Sequence, residues 1–451
     1  MYENISPLDY RYINKHAREY LSEDAFMRYQ LNVEAALVAG FAKHGLCSKK
    51  IAAEVQAGCA KVTAADVYEE DARIKHSTRA LVNCIRNNVS DEAKPFIHFT
   101  TTSFDIVDSA NAARYKDFTN NVLAPAIKDL LQTLITLAER EKATVQIGRT
   151  HGQHAVPITF GYAIAEYVDR IGNTMEKIQA AGDDLRGKIA GAVGSHNGQA
   201  LFIKDPLQFE KDVLQELGIQ PSPHSTQVVE PEYTLTLLHH VVSCYGILAN
   251  LADDMRHLQR SEIGEVAEQF GKNQVGSSTM PHKRNPWNYE NIKSLWKETM
   301  PRLMTHYMDQ ICEHQRDLSN SASARFIPEI FALFLESVTR MNTIMSRVIV
   351  DKENIQQNLD DSKELVIAEA FYLLLAFHGH PDAHEYIRVQ TLEVQKTGTP
   401  LRELIAADAS VKKYTDKFTN EQQAIVNNPE AYTGICTKKT ELLCKKWRKH
   451  A

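Results

Sequence analysis

Residues 271–286 read GKNQVGSSTMPHKRNP and bring hydroxyl, amide and cationic side chains into a segment without a hydrophobic repeat. Consecutive backbone amides, two serine hydroxyls and the ammonium of Lys283 can together stabilise a developing oxyanion. A phosphate-binding P-loop is excluded, because its GxxxxGK[ST] order places the lysine after the second glycine, whereas GKNQVG places it after the first. A structural turn around Gly276 and Pro281 is the alternative interpretation.

A second polar segment, GRTHGQHAVP at residues 148–157, precedes a long predicted helix that begins at Phe160. His151 therefore lies in a polar break, from which a side chain can reach a cleft. Because imidazole titrates near neutral pH, His151 is a candidate general acid or base. The alternative is a loop histidine that only forms hydrogen bonds. His151 and His154 also have the spacing of a metal-binding pair, but no carboxylate or third ligand accompanies them.

Two further clusters carry basic side chains. A solvated helix face is the default interpretation of the first, whereas the second is a candidate site for an anionic ligand. The first comprises Lys75, His76 and Arg79, and the second comprises Arg316, Ser321 and Arg325.

Three histidines in HGHPDAHEYIR, namely His378, His380 and His384, resemble a metal cluster. Pro381 at a helix start, with His380 near the cap, explains the pattern equally well. The polar segments thus supply acid/base groups, cations and amides without a redox-cofactor motif. The simplest matching chemistry removes a proton next to a carboxylate and expels a leaving group.

The composition limits the classes of function. Hydrophobic residues make up 43% of the 451 residues, and the net charge of −6 gives no reason to expect nucleic acid as a partner. Seven scattered cysteines without CxxC spacing are typical of a reducing compartment. No signal peptide and no apolar run of membrane-spanning length is evident, so we expect a soluble, cytoplasmic protein. The basic C-terminal segment is interpreted as a solvated helix face rather than a nucleic-acid arm.

Helical periodicity dominates the elements that must position these groups. The clearest run extends from Phe160 to Ile189, and others cover residues 122–137, 235–258 and 330–348. These runs exceed the ~10–14 residues usual in globular proteins and suit a bundle whose helices also pack across subunits. The sequence therefore predicts an all-α fold. Three helical domains are expected, at residues 1–110, 111–350 and 351–451, with the long bundle in the second.

Three motifs give the chain a family resemblance. GSSTMPHKRNP resembles the GSSxMPxKxNP signature of the fumarase/aspartase superfamily, RTHGQHAVP resembles its histidine-bearing segment, and TTSFDIVD its threonine-serine segment. Within this superfamily, SPLDYRY, RTHGQ, PHKRNP and HQRDLSNSASAR resemble the adenylosuccinate lyase family. Cycloisomerases share PHKRNP but usually lack the histidine of RTHGQ. Argininosuccinate lyases tend to have glutamine, and fumarases glycine, in place of His282.

This resemblance implies a homotetramer whose active sites are each formed by three chains. It implies small-molecule substrates, no cofactor, no nucleic acid and no membrane. The implied reactions release fumarate from adenylosuccinate, giving AMP, and from succinylaminoimidazole carboxamide ribotide (SAICAR), giving the carboxamide product (AICAR). Two alternatives remain open: a superfamily lyase for argininosuccinate or malate, and a non-enzymatic protein related to the lens crystallins of this superfamily.

The resemblance also implies residue roles. Ser277 is the expected general base, favoured by the amides and cations of its loop, and His151 is the expected general acid. Gly271 and Gly276 suggest that the loop closes over substrate. The remaining catalytic residues are His76, Lys283 and Glu290; the substrate-binding residues are Arg11, Tyr12 and Lys75, Thr102, Ser103 and Thr150, Gln227, Asn285 and Asn291, and Arg316, Ser321 and Arg325.

One residue departs from the family pattern. Family members commonly have aspartate after the second catalytic histidine, whereas here His76 is followed by Ser77. This difference predicts a remodelled substrate contact at His76.

Overall fold

A computed structural model describes residues 5–12, 14–271 and 276–450 of the chain. Helices account for most of these residues, which confirms the all-α class. The α-helices are α1 (Lys15–Leu21), α2 (Glu23–Lys43), α3 (Lys49–Cys59), α4 (Ala64–Ile74), α5 (Ser77–Arg86), α6 (Ser103–Phe118), α7 (Ala124–Arg140), α8 (Phe160–Asp183), α9 (Asn197–Ala200), α10 (Pro206–Glu216), α11 (Glu232–Leu258), α12 (Trp287–Thr299), α13 (Arg302–Met308), α14 (Ile327–Met345), α15 (Lys352–Asp360), α16 (Lys363–Val366), α17 (Ala368–Phe377), α18 (Ala383–Thr397), α19 (Leu401–Ala407), α20 (Lys412–Thr415), α21 (Asn420–Asn427) and α22 (Cys436–Trp447).

Short helical turns and small sheets connect these helices. The strands were not expected from the sequence. Four 3-10 turns lie at Pro7–Asp9, Lys94–Phe96, Ser323–Phe326 and Pro429–Ala431, and a π-helical turn lies at Thr119–Leu123. The two-stranded sheets are antiparallel β1 (Val145–Thr150) with β2 (Gln153–Thr159), parallel β3 (Arg186–Gly187) with β4 (Gln220–Pro221), and antiparallel β5 (Val266–Ala267) with β6 (Ile349–Val350).

The chain divides into two compact units. Each unit is assembled from three stretches of sequence, so residues far apart in the chain share one core. The first unit comprises Met1–Ile127, Asn173–Leu248 and Ile292–Thr339, and the second comprises Lys128–Gly172, Ala249–Asn291 and Arg340–Ala451. The three consecutive domains expected from the sequence stay a prediction.

Aromatic side chains fix α6 within the first unit. Tyr115 and Phe118 are buried, and their ring centroids lie 5.2 and 5.6 Å from that of Phe331 on α14. Tilted aromatic pairs of this kind contribute about 0.5–1.5 kcal/mol beyond the area that they bury. This packing holds the helix that begins at Ser103 and has Thr102 as its N-cap.

The helix predicted from Phe160 to Ile189 ends earlier than its apolar spacing indicates. α8 stops at Asp183, after Gly182, where an added Cβ would lie 2.8 Å from the Thr119 methyl group. Leu185 and Ile189 remain buried although the chain leaves the helix and enters β3. The apolar pattern therefore predicted burial correctly and the helix end wrongly.

α11 is the exception to the expectation that no segment has membrane-spanning length. Within the described residues, this one helix, Glu232–Leu258, is long and apolar enough to cross a membrane by length and composition. Of its most apolar window, 61% is buried inside the protein. Such burial is typical of a core helix, so α11 is weak evidence for a membrane.

The basic C-terminal segment forms α22, which packs in the second unit. The indole of Trp447 is fully buried, and its Nε1 donates a hydrogen bond to Asp169 Oδ1 on α8 at 2.7 Å. Lys446 pairs with the same carboxylate at 2.9 Å, and Arg448 pairs with Glu139. These ion pairs agree with the interpretation of this segment as a helix with one solvated face.

The close approach of α8 and α22 requires Gly172, because a Cβ there would lie 2.4 Å from the Trp447 ring. We expect Gly172→Ala to lower the free energy of unfolding by about 1–3 kcal/mol, as overpacked core substitutions do. Denaturant unfolding measures this change. Gly246→Ala in α11 is the matched control, because its Cβ would meet Trp296 at an ordinary 3.6 Å. Equal stability of the two variants would contradict the packing constraint.

Candidate active site

A tight β-hairpin presents His151. Thr150 pairs with Gln153 across β1 and β2, so His151 and Gly152 are the two loop residues. Their φ angles are +55° and +74°, and positive φ at both loop positions is what a type I′ turn requires. A left-handed backbone at a non-glycine residue costs about 1–3 kcal/mol and is frequent at functional sites. The imidazole is exposed at the hairpin tip, next to exposed Thr150.

The polar break at His151 is the turn of a β-hairpin, and neither strand of this hairpin was predicted from the sequence. Apolar side chains alternate with other residues at Val145 and Ile147 on β1 and at Val156 and Ile158 on β2. That period of two, with a glycine between the runs, is a hairpin signal. The dominance of helical periodicity elsewhere concealed it.

A buried carboxylate holds the base of this hairpin. Glu265 has no exposed side-chain surface, and it accepts two hydrogen bonds from the Arg149 guanidinium, at 2.6 and 3.1 Å. Gln146 Nε2 donates a third at 2.6 Å. His154 contacts Ser362 through Nδ1 at 2.5 Å, and burial together with the Arg149 charge lowers the pKa of His154. His154 thus contributes to anchoring the hairpin.

Backbone amides converge on the Ser277 hydroxyl. Ser277 Oγ accepts hydrogen bonds from the N–H groups of Met280, at 3.0 Å, and Thr279, at 3.4 Å. The side chain is half-buried. Both donors would also stabilise negative charge on this oxygen, so the local fold suits a serine that must lose its proton.

The same turn brings Asn285 and Lys283 close to Ser277 along the chain. Asn285 Nδ2 donates to the carbonyl of Gly276 at 3.0 Å. A Cβ at Gly276 would lie 2.3 Å from the Lys283 carbonyl oxygen, so only glycine permits this approach. The Lys283 side chain is exposed. Residues 272–275 of the expected loop lie outside the described residues, so its expected closure stays a prediction.

Glu268 fixes the helix that follows this turn. Its buried carboxylate accepts hydrogen bonds from the N–H groups of Asn288 and Tyr289, at 3.2 and 3.3 Å, at the start of α12. Burial raises the pKa of Glu268, and the hydrogen bonds from Asn288 and Tyr289 offset part of that rise. α12 carries exposed Glu290 and half-buried Asn291 in its first turns. Glu268 was not predicted from the sequence, because its partners lie about 20 residues away.

His76 begins a helix in the first unit. It is the N-cap of α5, and its Nδ1 accepts a hydrogen bond from the Arg79 N–H at 3.2 Å. A ring nitrogen that accepts a hydrogen bond carries no proton, so the neutral ring carries its proton on Nε2. Lys75 precedes it with a positive φ of 58°. The expected solvated helix face is therefore a junction between α4 and α5.

Thr102 and Gln227 lie together at the start of α6. Gln227 Nε2 lies 3.5 Å from Thr102 Oγ1, at the limit of a hydrogen bond. Asp105 accepts a hydrogen bond from the Thr102 N–H at 2.8 Å and forms a fully buried ion pair with Lys188 at 2.6 Å. Ser103, the first residue of α6, is half-buried. The structure thus brings two of the expected substrate-binding residues into contact.

The second basic cluster occupies an irregular segment of the first unit. Arg316 has a positive φ of 72°, and its Nη1 donates to the carbonyl of Gln310 at 3.3 Å and to Cys312 Sγ at 3.2 Å. Ser321 and Arg325 lie nearby in sequence with exposed side chains. Arg316 is half-buried, so only Ser321 and Arg325 of this cluster are fully open to solvent.

The N-terminal pair follows a 3-10 turn. The N–H groups of Arg11 and Tyr12 both donate to the carbonyl of Pro7, at 2.8 and 3.2 Å. Arg11 is exposed, whereas Tyr12 lines a pocket in the first unit with Lys297 and Arg302. Both residues are thus positioned by the turn and not by a long helix.

No group of three His, Cys, Asp or Glu side chains converges to hold a metal in the described part of the chain. The three histidines near residue 380 instead contact aromatic side chains. The His378 ring lies 5.4 Å from Phe418, and the His380 ring lies 5.2 Å from Tyr386. Their spacing therefore reflects packing in the second unit.

Comparison with known proteins identifies relatives of the whole chain. The family model described as lyase matches residues 10–299, and the model described as adenylosuccinate lyase C-terminal matches residues 312–428. The chain is 35% identical to the adenylosuccinate lyase of Pyrococcus abyssi, over 95% of each chain. It is 32% identical to that of Archaeoglobus fulgidus, over 97% of each.

Solved structures share the fold. A 3-carboxy-cis,cis-muconate lactonizing enzyme from Pseudomonas putida superposes with a TM-score of 0.84 at 22% identity, covering 98% of this chain and 99% of that enzyme. A fumarate lyase from Mesorhizobium gives a TM-score of 0.85 at 20% identity, covering 96% of this chain and 98% of that enzyme. At these identities the likeness supports the architecture alone.

His76 is both the N-cap of α5 and an expected catalytic residue, and substitutions at this position can separate the two roles. Asparagine is also a good N-cap, so we expect His76→Asn to retain the stability of the parent within about 0.5 kcal/mol, while His76→Ala loses about 1 kcal/mol. Turnover should fall at least tenfold in both variants, because both lack the imidazole. Thermal unfolding and rate measurements test this split. Parent-like turnover in His76→Asn would show that His76 serves only as the N-cap. Thr63→Ala, at the N-cap of α4, is the control that gives the loss of stability expected from removing a cap alone.

Proposed function

The chain belongs to the adenylosuccinate lyase family, and on that premise we propose that it eliminates fumarate from adenylosuccinate and from SAICAR. The products are AMP and AICAR. A lyase of this type needs a base for a carbon-bound proton and an acid for the leaving nitrogen. The observation that carries the assignment is the hydroxyl of Ser277, which accepts two backbone N–H groups within the GSSTMPHKRNP segment.

Proton removal is the step that Ser277 would perform. The proton lies on a carbon next to a carboxylate, and breaking that C–H bond moves its electron pair into the carboxylate as an aci-dianion. Such a charge forms only opposite fixed donors, and losing one donor typically costs ~10²–10³ in rate. The amides at Ser277 Oγ favour the alkoxide, and Lys283 on the same turn supplies a cation for the succinyl carboxylates.

Cleavage of the carbon–nitrogen bond is the second step. The electron pair of the aci-dianion forms the double bond of fumarate as the C–N bond breaks, and the nitrogen takes up a proton. His151 is suited to deliver it, since an imidazole at the tip of a hairpin can enter a site completed by other chains. We assign Glu290, on the first turn of α12, to support of the histidine.

Several polar side chains would bind the substrate. Thr102 and Gln227 are already in contact and offer a hydroxyl and an amide to the succinyl group. Asn285 uses one N–H on Gly276, which leaves the other for a carboxylate. Arg316 likewise uses Nη1 within its own segment, and its remaining N–H donors suit a phosphate. The other binding roles follow the family: Ser103 and Thr150 at the succinyl end, and Arg11, Tyr12, Ser321 and Arg325 at the phosphate, with Asn291 and Lys75 as further substrate contacts.

We further propose that the chain works as a cytoplasmic homotetramer. Met304, Met308 and Ile311 are 58%, 63% and 83% exposed, and Met304 and Met308 lie one turn apart on α13. Contiguous exposed apolar side chains of this size mark protein–protein interfaces. All seven cysteines are free thiols, which agrees with a reducing compartment.

Replacing Ser277 tests the reaction and its base together. We expect the parent protein to consume adenylosuccinate, seen as a loss of ultraviolet absorbance with formation of fumarate. Ser277→Ala should lower turnover by at least 10³-fold with substrate affinity changed less than about threefold, because alanine has no side-chain oxygen to accept the proton. Ser278→Ala, with an exposed neighbouring hydroxyl, should lose far less.

Two outcomes would contradict different parts of the proposal. Near-normal elimination by Ser277→Ala would assign the base to another group. Turnover of argininosuccinate or malate in place of adenylosuccinate would overturn the substrate and leave the lyase assignment intact.

The exposed face of α13 predicts the outcome of sedimentation experiments. We expect the parent chain to sediment as a tetramer and Met304→Asp to dissociate, because association would bury the new charge without a partner. Leu442→Asp on α22, at a site that is also exposed, is the control and should leave the mass unchanged. A tetramer that survives Met304→Asp would place the interface elsewhere.

A further inference from the structure

The hydrogen bonds of Glu265 are the starting observation. Its fully buried carboxylate accepts from Arg149 at 2.6 and 3.1 Å, from Gln146 at 2.6 Å and from Asn358 Nδ2 at 2.8 Å. Two of these partners belong to β1, and Asn358 belongs to α15. One side chain therefore links the hairpin of His151 to another part of the second unit.

A bulge interrupts the ladder of the hairpin before its tip. β1 and β2 pair regularly from Val145 to Ile147, and the register then shifts before Arg149 pairs with His154. Gly148 alone on β1 faces two residues of β2 across this bulge. Bulges bend a strand and re-aim its side chains, and they are frequent beside active sites. The last two pairs before the turn therefore need support from outside the ladder, which Arg149 obtains from Glu265.

Stability alone gives no reason for a buried ion pair here. Replacing such a pair by apolar side chains is often neutral or stabilising, since desolvation offsets the Coulombic attraction. A bidentate guanidinium–carboxylate pair has a narrow geometry, however, and fixes both partners in orientation. Arg149 lies two positions before His151, so that orientation passes to the turn through a single intervening residue, Thr150.

The segment that bears Glu265 also holds the loop of Ser277. Gln259 Oε1 accepts from the Glu268 N–H at 3.0 Å, and Gln259 Nε2 donates to the Arg284 carbonyl at 3.2 Å. Glu268 in turn caps α12 through Asn288. Residues 259–268, which we term the bracket segment, therefore contact the supports of both the expected acid and the expected base.

We propose that Glu265 is a positioning residue for His151, acting through Arg149, so that the bracket segment orients the general acid. This inference rests on the proposed function, because it takes His151 as the acid of the elimination. Displacing a catalytic group by about 1 Å typically costs ~10² in rate. Glu265 touches no reacting atom, and its effect should appear in turnover.

A double-mutant cycle tests this coupling. We expect Glu265→Gln to lower kcat about 10²-fold with KM changed less than threefold, and to lower kcat less than threefold further when added to His151→Ala. When two residues act as a unit, their losses in kcat are non-additive in this way. An unrelated structural defect would instead give the double variant the product of the two single losses. Full additivity of the two losses would overturn the proposal.

Matched variants separate positioning from folding. Glu385→Gln is the control, because Glu385 also binds an arginine through two hydrogen bonds of 2.7 Å, but at the surface of α18; it should retain full turnover. Arg149→Lys keeps the charge pair but loses the bidentate geometry of the guanidinium. Its kcat should therefore lie between those of the parent and Glu265→Gln. A parent-like Arg149→Lys would contradict the role of the bidentate geometry.

Amide hydrogen exchange gives a readout independent of activity. In Glu265→Gln we expect exchange at residues 149–154 to accelerate at least tenfold, with exchange in α22 unchanged. If the parent failed to turn over adenylosuccinate, the proposed function would fail while this measurement still decided whether Glu265 orders the hairpin tip. Unchanged exchange at residues 149–154, or uniform acceleration across the second unit, would overturn the positioning role.

Discussion

The carboxylate of Asp105 is fully buried, so the folded chain must supply all its hydrogen-bond donors. Lys188 Nζ lies 2.6 Å away, and the N–H groups of Thr102, Ala190 and Gly191 complete the set at 2.8–3.2 Å. Removing one partner of a buried pair typically costs about 3–5 kcal/mol, a large part of the ~5–15 kcal/mol by which a domain is stable. The start of α6, where Thr102 is an expected substrate-binding residue, is therefore tied to the segment from Lys188 to Gly191, and separating the two would cost the unit much of its stability.

The second unit obeys the same constraint with different residues. Glu265 and Glu268 lie three positions apart, are both buried, and draw their donors from the hairpin and from the start of α12. In each unit, a carboxylate that must be satisfied is used to attach an irregular segment to a rigid element. Long helices alone would leave these segments free, because a helix satisfies its own backbone groups except at its ends.

The sequence predicted the parts whose causes are local. Apolar residues repeating over α11 and α14 indicated these helices, and the unusual run around Ser277 indicated chemistry. The hairpin of His151 was missed although its period-two signal is local, and the end of α8 was misplaced because Leu185 and Ile189 are buried outside any helix. Glu265 could not be found from the sequence, since its hairpin partners lie more than 100 residues away. Hydrogen bonds that satisfy a buried charge from distant parts of the chain produce no repeating pattern in the sequence.

Ser277 and His76 share a feature that connects folding with proton chemistry. Each uses a side-chain atom to accept a backbone N–H at the start of a turn or helix. An acceptor atom must present a lone pair, so the turn itself disfavours a proton on that side of the atom. For the neutral His76 ring this places the proton on Nε2, and for Ser277 it surrounds the hydroxyl oxygen with N–H donors that would also stabilise an alkoxide. Under the roles proposed above for these two residues, the capping geometry that forms the local structure also prepares their side chains for proton transfer.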